Sequence, residues 1–415
     1  MSELINNRDH RIATLKEIIL HLHRGEAPEQ VKARLAHLVG QVDATEIAAM
    51  EQSLMADGMS PQEVKSMCDL HAEVLQDAVV QPEARELPAG HPVDTFRREN
   101  RALEAAIGTA REHVAALETV ADQAYPTDER LAVLGAFNPL MDVDKHYQRK
   151  EHLVFSVLER HGNTGPSKVM WAKDDEVRDF LKGAIEVLRE ESLGGAELKL
   201  LVPTVLRPAL AALESMIYKE ETILLPMCLG LFTEEEWGEV WRDSPRYGWC
   251  LVEPAAGYAP PEPAFPKDTL QLPAASAVAF PSGVLSFQQL IGIFSSLPVD
   301  ITFVDADDRV AFFSEGPDRV FARSRTILGR EVKHCHPPKS VDVVERILED
   351  FKTGRQTVAE FWIQMHGKFV HIRYFAVRDE AGAYLGTLEV TQDLTRLRAL
   401  EGDRRLLEYD APSQA

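Results

Sequence analysis

The stretch His146-Tyr-Gln-Arg-Lys-Glu151-His-Leu-Val-Phe155 recurs in outline as Met216-Ile-Tyr-Lys-Glu-Glu221-Thr-Ile-Leu-Leu225. In each copy a side chain able to bind metal is followed five residues later by a carboxylate, and then by an apolar run. Two equivalent helices of a bundle would show this correspondence. Residues five apart on a helix differ by roughly 140° in bearing, so the two side chains flank one face and a long Glu must lean inward to share a point. Glu220, four residues after Met216, is better aimed. Carboxylates and imidazoles converging inside four helices are how bundles build di-metal sites. The plainer reading is an amphipathic pair with solvated carboxylates, and the presence of two matched copies weighs against it.

Outward from this pair, the chain from His91 to about Trp241 gives four amphipathic segments: Phe96 to Tyr125, Pro139 to Arg160, Asp174 to Glu190 and Leu200 to Leu231. Short connections containing Gly and Pro predict an up-down four-helix bundle. Ahead of it, helical spacing punctuated by Gly25, Gly40 and Gly58 predicts a small all-helical unit. That unit ends near Cys68 and His71, whose i, i+3 spacing offers two ligands, too few to favour a metal site over helix packing. Behind the bundle, seven prolines between Pro254 and Pro281 read as an extended linker.

The remainder alternates in strand fashion. A hairpin starts at Val299, helices follow over Val320 to Phe351, and three strands follow in Glu360–Met365, Lys368–Val377 and Ala383–Asp393. Two strands, helices and three strands make a five-stranded antiparallel sheet with helices on one face, the architecture of a PAS domain. The fold expected is therefore multidomain. An all-α unit occupies residues 1–82, a four-helix bundle 83–245, a Pro/Ala-rich linker 246–284, an α+β PAS domain 285–397, and a C-terminal helix and tail 398–415.

The 415 residues and 45% apolar content suffice for several buried cores. With 66 acidic against 45 basic residues, the net charge of −21 repels a phosphate backbone and argues against a nucleic-acid partner. No run approaching the roughly 20 apolar residues of a membrane span stands out, and the N-terminus lacks a signal-peptide pattern. The expectation is a cytoplasmic protein with no membrane partner. Cys68, Cys228, Cys250 and Cys335 lack paired spacing, so neither a disulfide framework nor a thiolate zinc site is indicated. Phosphate-loop, nucleophile-elbow and dinucleotide glycine motifs are absent from the sequence.

Several stretches carry a resemblance: Cys68-Asp-Leu-His71, His91-Pro-Val-Asp-Thr-Phe-Arg-Arg-Glu-Asn100, His146 to Glu151, Val169-Met-Trp171, Lys219-Glu-Glu221, Cys335-His-Pro-Pro-Lys-Ser340 and Leu388 to Asp393. Over nearly its full length the chain resembles a three-part bacterial and archaeal family. Its parts are a helical unit known as domain-of-unknown-function family 438, a hemerythrin-like HHE cation-binding bundle, and a PAS domain. The resemblance implies iron, di-iron or mononuclear, held by His146, Glu151 and Glu221, with His91, Asp174 and Glu220 as supplements. The chain departs from that family, however, because Asn100, Asp174 and Met216 stand where imidazoles are expected. The remaining set is rich in carboxylates, which suits a harder, oxygen-dominated site better than an oxygen carrier.

Haem is a second reading, with His146 and Met216 as a cytochrome-type axial pair in the bundle, against the simpler view that Met216 fills the core. His336, in the His334-Cys335-His336 triplet, is the haem candidate of the PAS segment. The function expected is a sensory or regulatory protein whose metal centre responds to O2, NO or redox state. A sensor without turnover is preferred to an NO or peroxide reductase or an iron-centre repair enzyme, and a metal-free interaction scaffold is the third reading. Only about twenty residues follow Asp393, so output must pass by contact with a protein partner. The other partners expected are a diatomic gas or small ligand, and a second copy through the PAS domain.

Overall fold

Within the first unit, helix α1 (Ser2–His23) buries Leu15, Ile18 and Ile19. A computed structural model describes residues 2–23, 87–261, 277–316 and 319–402, with scattered positions between 30 and 63. The Cys68/His71 pair, the middle of the proline segment and the C-terminal tail lie outside the described residues.

The bundle opens on α2 (Pro92–Leu117). Pro92 suits the first helical position because its missing N–H would have no helical partner there, and His91 Nδ1 accepts the Val93 N–H at 3.1 Å. Just before it, Gly90 has φ +83°, and a Cβ there would lie 2.0 Å from the Ala255 carbonyl oxygen. That close approach corrects the linker expectation at its start. Residues 247–261 pack on the bundle, Tyr247 and Cys250 are buried, and the Cys250 N–H donates to Glu99 Oε1 at 2.8 Å. Prolines keep such a segment extended, but an extended segment can still fill a groove.

After α2 comes α3 (Thr127–Phe137), a helix that the four-segment reading lacks, followed by a 3₁₀ turn at Asn138–Asp142. The second long helix is α4 (Val143–Arg149), a π turn at Lys150–Val154, and α5 (Phe155–Arg160). The third, α6 (Gly165–Leu188), starts nearer Gly165-Pro166 than the sequence suggested. Gly-Pro reads as a breaker, but Pro is well suited to a helix's first turn. The fourth comprises α7 (Gly195–Leu201), a π turn at Val202–Leu206, α8 (Arg207–Lys219), a π turn at Glu220–Leu224, and α9 (Leu225–Leu231). Over Gly195–Leu231 this helix is long and apolar enough to cross a membrane by length and composition, contrary to the sequence expectation. Its stripe of Leu198, Val202, Leu206, Leu210 and Leu213 is instead buried in the bundle. Helix α10 (Glu234–Asp243) closes the end, capped by Thr233 and Glu236 reciprocally and buried through Trp237.

The chain divides into two compact units, Met1–Thr269 with Arg323–Asp342, and Leu270–Ala322 with Val343–Ala415. The second unit holds a β1 (Ala277–Phe280)/β2 (Gly283–Ser286) hairpin, α11 (Phe287–Ser296), and strands β3 (Asp300–Asp305) and β4 (Val310–Phe313). Further on are α12 (Pro338–Lys352), which starts in the first unit and runs into the second, β5 (Val358–Met365), β6 (Lys368–Arg378), β7 (Tyr384–Asp393) and α13 (Thr395–Arg398).

Strands β3 to β7 form a five-stranded antiparallel sheet of order β4-β3-β7-β6-β5, as expected. The β5–β6 hairpin closes on His366 and Gly367, both with positive φ (49° and 76°), the two-residue turn whose twist matches the strands. Residues 320–337, expected to be helical, form only two short 3₁₀ turns, at Arg325–Ile327 and Val332–Cys335.

Candidate functional site

Glu99 on α2, His146 on α4, and Lys150 and Glu220 at the first positions of the Lys150–Val154 and Glu220–Leu224 π turns are all buried together with Asp174 on α6. The correspondence between the second and fourth helices holds, since Lys150 and Glu220 are 70 residues apart and each opens a π turn. It is this i+4 pair that meets directly, whereas Glu151, though buried, turns to Arg178 and Glu221 is half-exposed. One residue along a helix changes the bearing by roughly 100°, which carries Glu151 and Glu221 to the flanks.

The core contacts form a chain. His146 Nδ1 lies 2.7 Å from Glu99 Oε2, and Nε2 lies 2.9 Å from Glu220 Oε2. Lys150 Nζ donates to Asp174 Oδ1 at 2.7 Å and to Glu220 Oε1. Arg149 donates to Glu99, and its guanidinium stacks on Phe96 and Trp249 at 4.9 and 4.7 Å.

Burial disfavours charge on each of these groups, and their partners decide the outcome. Around Glu220, Lys150 and His146 overcome burial and draw the carboxyl down to about 2. His146 is raised, because Glu220 and Glu99, which face its two ring nitrogens, outweigh its burial. Glu99 is lowered despite burial by His146, Arg149 and the Cys250 N–H. Lys150 is raised by Asp174 and Glu220 against burial. At Asp174 burial prevails over Lys150 and pushes the carboxyl well up, in keeping with an Oδ2 that has no partner among the described residues.

The other expected site residues are placed elsewhere. Glu151 accepts a fork from Arg178 at 2.7 and 3.0 Å, and burial still raises its carboxyl against that pull. Glu221 accepts from Asn100 Nδ2 at 2.9 Å and pairs with Arg97 at 3.3 Å. His91 caps α2 and packs edge-on against Trp237 and Tyr258. Met216 is buried beside a cavity of about 330 Å³ lined by Val177, Phe180, Pro208 and Ala212 but not by His146. His336 is half-buried and falls in the unit that holds the bundle. Of the six metal candidates, His146, Asp174 and Glu220 therefore converge, while Glu151, Glu221 and His91 do not.

Sequence reasoning missed Glu99 and Lys150. Both were legible as charges on apolar stripes, Glu99 between Phe96 and Leu103 and Lys150 between Val143 and Val154.

A metal or haem must fit this donor set. Among the described residues no group of three or more His, Cys, Asp or Glu is arranged to hold a metal ion. Both nitrogens of the single core imidazole are engaged by carboxylates, so neither is turned to an open position where iron or a haem axial bond would need it. An ammonium already lies between Glu220 and Asp174, so a divalent ion there would meet a fixed positive charge. The residues present do not fit the group.

Next to this core, His152 stacks on Tyr247 at 5.5 Å and meets Trp171 edge-on, and burial with nearby Arg323 and Arg330 lowers it to about 3. The unfolded chain takes up a proton near pH 6.5 that the native protein refuses, so His152 costs stability as pH falls from about 6.5 toward 3. His146, being raised, acts in the opposite sense, its contribution being full at low pH and lost as pH rises through its native value. A His152→Phe variant is expected to lose about 2 kcal/mol less than the parent between pH 7 and pH 5. Urea midpoints at the two pH values check this, and equal losses would contradict it.

Comparison with known proteins bears on the same segments. Residues 15–81 match the model of a family of unknown function (DUF438), residues 91–228 that of the Hemerythrin HHE cation binding domain, and residues 290–395 that of a PAS domain. No curated protein matches the chain. Among solved structures, a C-terminal domain from Streptococcus mutans is 36% identical, with 31% of this chain and 99% of that chain covered and a TM-score of 0.30. The PAS domain of a Colwellia psychrerythraea protein is 13% identical, with 26% and 97% covered and a TM-score of 0.22. Along the chain, a DUF438 segment, a hemerythrin-like helical bundle and a PAS domain follow one another in that order, the three-part architecture that its sequence resembles.

Proposed function

We propose that this is a cytoplasmic sensory or regulatory protein whose hemerythrin-like bundle has exchanged its metal centre for an internal cation, the Lys150 ammonium. The pairing of a cation-binding bundle with a PAS domain marks a sensory or regulatory role. The observation that carries the finer reading is the placement of Lys150 Nζ between Asp174 and Glu220, with His146 held between Glu220 and Glu99. In this reading the bundle is a rigid scaffold and does no metal-dependent turnover. The signal, a small ligand or redox change, enters at the PAS unit, and output passes to a protein partner or a second copy.

The ammonium replaces a metal ion's charge but none of its chemistry, since it has no open coordination position for a diatomic gas and no redox change. Its role is to neutralise the buried Glu220, which would otherwise keep only His146, and to donate to Asp174. Optical spectra of protein from iron- and haem-replete cells test the haem arm. No Soret band is expected, and a Soret band lost in His146→Ala would overturn the proposal.

A further inference from the structure

The segment Arg323–Asp342 lies inside the stretch that matches a PAS domain, yet it packs as part of the bundle unit, with chain of the other unit on both sides of it in sequence. It is basic, with Arg323, Arg325, Arg330, Lys333 and Lys339 against Glu331 and Asp342, in a chain whose net charge is −21. Its partners on the bundle include acidic side chains and carbonyls, while its Arg323 carbonyl accepts from Arg246 at 2.7 Å. Arg330 forks onto Glu159 at 2.5 and 2.9 Å, both side chains being almost fully buried, and Ser324 Oγ donates to Asp243 at 2.5 Å. Lys339 faces Asp175 at 3.8 Å.

Two further contacts fall on the Lys150–Val154 π turn. Arg330 donates to the Glu151 carbonyl at 3.4 Å, and Thr326 Oγ1 to the His152 carbonyl at 3.0 Å. A π turn leaves the i→i−4 ladder, which makes its carbonyls available to outside donors and its geometry dependent on them.

We propose that Arg323–Asp342 is a regulatory strap that holds this π turn in place and with it the side chain of Lys150, so that releasing the strap unlocks the core. Relaxation of the turn to regular α-helix would rotate one flank relative to the other by roughly 100° per residue, enough to move Lys150 from between its carboxylates. Because the strap is covalently continuous with the PAS-matching chain on both sides, a strain arising there has a direct route to the turn. The strap does not depend on whether the core holds a metal, so its failure and that of the scaffold reading are separable.

Hydrogen exchange on the full chain tests it. In Arg330→Gln, and independently in Glu159→Gln, the amides of residues 151–155 are expected to exchange at least about tenfold faster, with trypsin cutting sooner at Arg323 and Arg325. Exchange at 151–155 unchanged in a variant that keeps the parent's circular dichroism would overturn the proposal. Should both variants fail to fold, the parent protein still decides the matter. Amides of the strap and of 151–155 are expected to lose protection together as denaturant is added, and strap opening that leaves the turn protected would overturn it.

Discussion

Lys150→Met is expected to lower the stability of the bundle by about 3–5 kcal/mol, seen as a fall in the denaturant midpoint. The substitution keeps most of the volume of the lysine stem and removes only the charge, so packing loss is a minor part of the effect. Glu220, held near 2 largely by Lys150, loses its main partner, and Asp174 Oδ1 loses the Lys150 donor. A buried carboxylate left unpaired must either stay charged at high cost or take up a proton. Combining Lys150→Met with Glu220→Gln should therefore be less damaging than the sum of the single changes, as contacting residues couple. A loss below about 1 kcal/mol for Lys150→Met would show that the ammonium is not what holds these carboxylates.

Reversing the charge should have a larger and different consequence. Lys150→Glu alters the local charge by two units and leaves four buried carboxyls, Glu99 and Glu220 on His146, Asp174 and the new one, with no ammonium among them. Without a cation this variant is expected to lose cooperative unfolding. With manganese(II) or iron(II) it should regain it, because a ligand bound only by the native state at a thousandfold over its dissociation constant adds about 4 kcal/mol. The parent protein's melting temperature should be indifferent to either ion. Equal stabilisation of parent and variant by metal would mean that the parent already has a cation site.

How far the site was legible follows from these residues. The recurrence of His146–Phe155 in Met216–Leu225 pointed to the correct two helices, because helical equivalence survives in one sequence as spacing. Of the carboxylates it pointed to, Glu220, four residues after Met216, is the one that meets His146. A five-residue step favoured Glu151 and Glu221, whereas the helix turns these to Arg178 and to Asn100 with Arg97. A lysine on a helix usually reads as solvated, and only its acidic partners, 24 and 70 residues away, mark it as buried. That information is tertiary. The sheet was readable strand by strand because a half-buried strand alternates with a period of two, and its hairpin turn has its own chemistry in His366-Gly367. The strap was not readable, since Arg330 gives no local sign of the Glu159 that receives it across the fold.

The most direct test of the central claim is the metal content of the full chain, purified from iron-supplemented cells and again after anaerobic reloading with iron(II), with His146→Ala alongside. An internal ammonium predicts far less than one metal ion per chain in both proteins. One or two ions per chain in the parent, lost in His146→Ala, would contradict it and return the bundle to metal chemistry.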